Sequence, residues 1–127
     1  MGNVLEKAQK AARKAIESTY AGVMTVSEYK KVKDPNTALT SYKEVVVLEN
    51  QPCSLSFESI AAAVQTGTVA TVSQAVKLFL SPDITIKPGS KIKVTQTGVT
   101  TEYKSSGVPA VYPTHQEIML ELFEGWA

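Results

Sequence analysis

The residues best equipped for chemistry lie close together near the end of the chain, in YPTHQEIMLELFEGWA, which holds the only histidine, His115, and the only tryptophan, Trp126. His115 beside Gln116 and Glu117 has the composition of an active-site fragment. Nucleophilic catalysis would need a base set against a nucleophile, and His115 would have to recruit Cys53 or one of the serines. None of these serines stands in a G-x-S-x-G elbow. The acids offer little more: Glu117, Glu121 and Glu124 sit among apolar residues as one face of an element would. No G-x-x-x-x-G-K-[ST] or G-x-G-x-x-G occurs to cradle a phosphate. One Cys and one His supply two soft ligands, too few for a structural zinc site, and a lone Cys53 forms no intramolecular disulfide. The expectation is therefore a protein that is not an enzyme and takes no cofactor or metal.

A second constellation has the chemistry of nucleic-acid contact, which needs basic side chains interleaved with aromatic ones. Tyr29, Lys30, Lys31 and Lys33, with Tyr42 and Lys43, come nearest to it. Residues 1–33 hold seven Lys/Arg against three Glu, although the whole 127-residue chain has a formal charge of only +1. The overall balance points neither to nucleic acid nor to a basic partner. A single-stranded nucleic-acid-binding barrel of oligonucleotide-binding type stays open as the alternative function.

The elements that must position these residues read as follows. Residues 3–19 predict a helix capped by Asn3, with Val4, Leu5, Ala8, Ala12, Ala15 and Ile16 recurring at three- and four-residue steps. That stripe is rich in alanine and thin, so it suits a contact with a neighbouring subunit as well as with its own core. From Tyr20 the period changes to two. Val23, Thr25, Ser27 and Tyr29 face one way and Met24, Val26 and Glu28 the other. DPNT (34–37) is a turn, YKEVVVLE a second strand, NQP an interruption and CSLSFES a further strand with Cys53, Leu55 and Phe57 on its apolar side. QAVKLFL, ITI and two runs about Thr97-Gly98 add further strands, with KPGS (87–90) as a turn. In 115–124 Ile118, Met119, Leu122, Phe123 and Trp126 fit a helical stripe, while Ile118, Leu120 and Leu122 also alternate. The extended VPAVYP before them, and the need for a closing partner, favour a strand. The fold class predicted is mainly β: one domain, residues 1–127, forming a small antiparallel β-barrel with an N-terminal helix.

Residues 60–73, IAAAVQTGTVATVS, have no charge and no aromatic ring. A short Ala-rich helix, a hairpin about Thr66-Gly67 and a segment ordered only on assembly all fit them. Ala61, Ala62, Ala63, Gln65, Thr66, Gly67 and Thr68 are the candidate functional loop. No run approaches the roughly 18 apolar residues of a membrane span, and the N-terminus lacks a signal-peptide core. MGNVLE has Glu6 where a myristoylation motif needs Ser or Thr.

The order of elements in residues 83–127, with IKPGSKIKV, then GVTTEYKSSG, then YPTHQEI before the terminal strand, resembles the head-closure (stopper) proteins of tailed bacteriophages and phage-like elements. The resemblance covers about a third of the chain and contains no active-site motif. It implies a ring of the chain's own copies in the virion neck, assembled in the bacterial cytoplasm, between portal and adaptor proteins above and tail proteins below. It implies at most non-specific contact with packaged DNA and no membrane partner. Segment 60–73 then corresponds to the family's long loop toward the DNA channel, and Leu5, Ala8, Ala12, Ala15 and Ile16 to a ring or adaptor contact. The helical N-terminus departs from family members that begin almost directly with the barrel.

Overall fold

Alternation in the strand segments is satisfied by closing them on themselves. A computed structural model describes residues 2–61 and 72–126, and side chains within 3–58 and 75–126. It contains α1 (Gly2–Glu17), β1 (Gly22–Lys33), β2 (Thr40–Ala61), β3 (Val72–Leu80), β4 (Lys91–Gln96), β5 (Val99–Val111) and β6 (Gln116–Leu122). The strands form a closed barrel in the order β1-β2-β3-β6-β5-β4, each paired antiparallel with its neighbours. Closure removes the barrel's edges.

Inward positions are filled by Met24, Val26, Cys53, Leu78, Leu80, Ile92, Val94 and Ile118, all essentially without solvent contact. They come from five strands, so no two-stranded unit holds a core of its own. Gly22 lets the first strand approach closely. A Cβ there would stand 3.0 Å from Gln96 Oε1 and 3.1 Å from the Cys53 carbonyl oxygen. The terminal segment is a strand, β6, pairing Val76–Leu80 on one side and β5 on the other. The hairpin about Thr97-Gly98 has positive φ at both turn residues, 54° and 76°, as the tightest two-residue hairpins require. In the DPNT turn the Asp34 carboxylate accepts from the Asn36 N–H at 2.8 Å, and Gly89 takes φ +82° in KPGS.

Several expectations need correction. NQP does not divide two strands: β2 runs unbroken for 22 residues, with Asn50 at φ 52° and two register shifts against β1. The extra residues are absorbed as bulges, which bend a strand without ending it. They also disturb the alternation in β2, where the neighbours Val47 and Leu48 are both half-buried, and in β1 the neighbours Val26 and Ser27 are both buried. ITI forms no strand. Ile86 instead plugs the core from a loop clamped by Gln116, whose amide donates to the Ser81 carbonyl at 2.8 Å and to the Ile84 carbonyl. Finally, α1 includes Gly2, so Asn3 lies inside the first turn instead of capping it.

Two ribbons leave the barrel. β1 meets β4 only over Gly22–Ser27, and beyond that Glu28–Lys33 pairs with β2 alone. At the other end of β2 the ladder with β3 continues from Glu58↔Ala75 to Ala61↔Val72, past the last β3–β6 pair at Val76. Phe57, where this second ribbon starts, is 50% exposed. The predicted loop is thus shorter at both ends, because Ile60 and Ala61 belong to β2 and Val72 and Ser73 to β3.

Candidate interaction surfaces

His115 sits in the turn between β5 and β6, where its carbonyl accepts from the Tyr112 N–H at 2.8 Å. Its Nε2 is 2.8 Å from Glu117 Oε2, its Nδ1 is 3.2 Å from Thr114 Oγ1, and its ring stacks on Tyr112 at 4.8 Å. Both ring nitrogens are engaged, and among the described residues no serine or cysteine side chain reaches them. The hydrogen bond from His115 and the nearby Lys77 ammonium, 3.2 Å away, hold the Glu117 carboxyl below its usual range. Cys53 points into the dry barrel, and burial pushes its thiol up to about 12. Such a thiol carries almost no thiolate at neutral pH and is a poor nucleophile. Of the remaining acids of the cluster, Glu121 pairs with Lys104 at 3.5 Å and Glu124 is exposed. Among the described residues, no three His, Cys, Asp or Glu side chains are grouped to hold a metal ion, and no helix is long and apolar enough to cross a membrane.

The aromatic residues of β1 and β2 do converge, and Lys30 and Lys31 line the cavity beside them, whereas Lys33 and Lys43 do not. Tyr29 and Tyr42 stack at 5.5 Å, Trp126 stacks on Tyr29 at 5.2 Å, and Phe123 meets Trp126 edge-on at 5.0 Å. The indole N–H donates to Glu44 at 3.1 Å, and Lys91 bridges Glu44 and Glu102 at 3.0 Å each while lying 5.1 Å over the Phe123 ring. The Lys91 hydrogen bond is the main reason the Glu44 carboxyl lies below its usual range. A cavity of about 610 Å³ opens beside this cluster, with Tyr29, Lys30, Lys31, Lys87, Lys104 and Trp126 in its wall.

α1 lies on the outside of the barrel. Its half-buried positions are Gln9, Arg13, Ile16 and Glu17, one face by helical spacing. Arg13 anchors it, donating to Ser81 Oγ at 3.0 Å and to the Asp83 carboxylate. Of the candidate contact residues, Leu5, Ala8, Ala12 and Ala15 are exposed and only Ile16 turns toward the barrel. Val4 is 79% exposed. Among the candidate loop residues, Ala61 ends β2, whereas Ala62, Ala63, Gln65, Thr66, Gly67 and Thr68 lie outside the described residues.

No protein-family model matches the chain, and no curated protein matches it. Among solved structures, the phage-like element PBSX protein xkdH from Bacillus subtilis aligns with a TM-score of 0.44 and 12% sequence identity, over 81% of this chain and 92% of that one.

Sequence reasoning assembled Tyr29, Tyr42 and their lysines but missed Glu44, Lys91 and Phe123, which complete the cluster. The alternation of β2 carried a signal for one of them, since Glu44 shares a face with Tyr42. Lys91 arrives from β4, and Phe123 from just beyond the end of β6, through the barrel's closure, which local spacing does not encode.

Proposed function

We propose that the chain is a structural component of the phage neck that closes the head and joins head to tail as a subunit of a connector ring. It acts by assembly and catalyses no reaction. The observation that carries this reading is the set of elements that leave the closed barrel. The β2–β3 ribbon continues past its last barrel partner, and α1 exposes Val4 and Leu5 while resting on the barrel through Arg13 and Ile16. A two-stranded ribbon is marginal in water alone, and a helix of this length draws most of its stability from packing. Such elements gain their stabilising contacts from neighbours. A ring supplies those neighbours at fixed geometry, through heterologous contacts that close under rotation. The resemblance of residues 83–127 to head-closure proteins supports the virion neck as the setting of that ring.

Purified chain added to DNA-filled heads bearing portal and adaptor tests this. The expected result by electron cryomicroscopy is a ring of the chain beneath the adaptor and DNA retained in the head. Leu5→Glu should reduce incorporation while leaving the unfolding midpoint unchanged. A chain that stays off such heads at micromolar concentration overturns the reading.

The aromatic–lysine cluster favours the second reading, a single-stranded nucleic-acid-binding barrel. Against it, Tyr29 already stacks on two other rings, and Glu44 lies among them. Tight, steeply salt-dependent retention of a single-stranded oligonucleotide would favour that reading.

A further inference from the structure

β1 is an interior strand for half its length and an edge strand for the rest. From Glu28 to Lys33 it pairs with Val45–Thr40 on one side, and on the other its backbone meets no backbone partner among the described residues. The cavity of about 610 Å³ runs beside Glu28–Lys31 of this open edge, floored by the Lys87–Ser90 turn and closed by Phe123 and Trp126. Ser90 is 3% exposed, lines the cavity, and its hydroxyl has no hydrogen-bond partner. That oxygen is itself closed to solvent, so Ser90 contributes a packed floor to the cavity.

An open strand edge next to a groove is the geometry for strand addition, in which backbone hydrogen bonds supply affinity and the flanking pockets supply selectivity. The charge of this groove narrows the occupant. Lys30, Lys31, Lys87 and Lys104 line it against Glu28, and Lys104 also pairs with Glu121, outside the cavity wall, at 3.5 Å. Glu28 is shared between Lys30 at 3.4 Å and Lys87 at 3.9 Å, while Lys31 makes no ion pair among the described residues. Lysines along an edge normally guard it against other strands, and here they repel a second copy's identical edge. An acidic strand reverses the sign of that guard, so that protection becomes selection. A nucleobase fits less well, because Tyr29, at the centre of the aromatic row, already stacks on both Tyr42 and Trp126.

We propose that the Glu28–Lys33 edge of β1 takes an extended acidic segment of another protein as an added strand. Its carboxylates meet Lys31, Lys87 and Lys104, and an apolar side chain packs beside Phe123 and Trp126. The proposal does not depend on the phage-neck reading, since any acidic extended partner would satisfy it.

Trp126 is the only tryptophan and sits in the cavity wall, so its emission reports directly on the site. The intact chain is titrated with a blocked peptide of alternating Glu and Val, with hydrogen exchange of residues 28–33 as a second readout. Saturable binding is expected, weakening as salt is raised, with slower exchange confined to that edge. Lys31→Glu should weaken it about tenfold while leaving the circular dichroism spectrum unchanged. The same peptide with a central proline should lose binding, because proline cannot donate to the added ladder. The proposal is overturned by equal binding of the proline peptide or of a Lys-Val peptide. It fails equally if a thymidine oligonucleotide binds more tightly, or if neither readout responds at roughly 1 mM peptide.

Discussion

Leu78 and Leu5 carry the same side chain, yet the barrel encloses the first completely and leaves the second 63% exposed. Leu78 sits on a strand held from both sides, by β2 and by β6. Leu5 sits on a helix whose contact with the barrel runs through Arg13 and Ile16. The difference separates the part of the chain that makes the fold from the parts that the fold carries outward. Apolar surface in the barrel is already used for stability, whereas apolar surface on α1 and on the ribbon at Phe57 is available to a neighbour.

The largest effect should follow from truncating the first of these leucines. Leu78→Ala removes a fully buried side chain from a closed core, and its cost should be about 2–5 kcal/mol of unfolding free energy. Leu5→Ala should change it by less than about 0.5 kcal/mol, as exposed substitutions do. Urea unfolding of both variants checks the contrast. A comparable loss from Leu5→Ala would mean that α1 is part of the core and would end the distinction.

A second substitution probes how tightly the barrel closes. Gly22→Ala places a methyl group 3.1 Å from the Cys53 carbonyl oxygen, a backbone atom that cannot swing away, and 3.0 Å from Gln96 Oε1. The Gln96 side chain is itself committed, accepting from the Leu55 N–H at 2.8 Å where β1 stops covering β2. The substitution should cost about 1–3 kcal/mol, the usual penalty of overpacking, with little change in the dependence on urea concentration. A cost near zero would show that the β1–β2 junction yields, and that the boundary between barrel and ribbon is soft.

The same boundary marks what the sequence could reveal. Period-two patterning located the strands around Met24, Val94 and Leu78, because each of them faces one dry interior. It could not show that β2 is continuous, since the Asn50 region looks like a break until β1 holds it through Leu48, Gln51 and Pro52. Ile84 and Ile86 alternate like a strand, but the clamp from Gln116 that keeps them in a loop comes from the far end of the chain. His115 was placed correctly at the entrance to the last strand, because VPAVYP must be extended and a strand was still missing. The aromatic cluster was legible in part: Tyr29 and Tyr42 are cross-strand diagonal neighbours in one hairpin, while Trp126 folds back from the terminus. The apolar stripe of α1 is legible in the sequence, but its direction is not: Leu5, Ala8, Ala12 and Ala15 are exposed and only Ile16 turns toward the barrel.

The smallest effect should come from the edge outside the core and should depend on pH. The Glu44 carboxyl lies below its usual range chiefly because Lys91 donates a hydrogen bond to it, with Trp126 adding a second. A carboxyl depressed in the folded state binds its proton later than in the unfolded chain. The stability it contributes is therefore present above the ordinary carboxylate range and lost as pH falls through the folded value. Glu44→Gln keeps an acceptor for the indole but removes this charge. At neutral pH it should cost under about 1 kcal/mol, because the group is partly exposed and its ion pair is screened by solvent. Between about pH 5 and pH 3, the decline of the urea midpoint should be shallower than in the parent chain. Leu78→Ala should lower the midpoint by a similar amount at each pH, since no titrating group is involved. A parent-like acid slope in Glu44→Gln would leave Glu117, held down by His115, as the main source of acid sensitivity. It would also show that the ionisation of Glu44 adds little to the barrel's own stability.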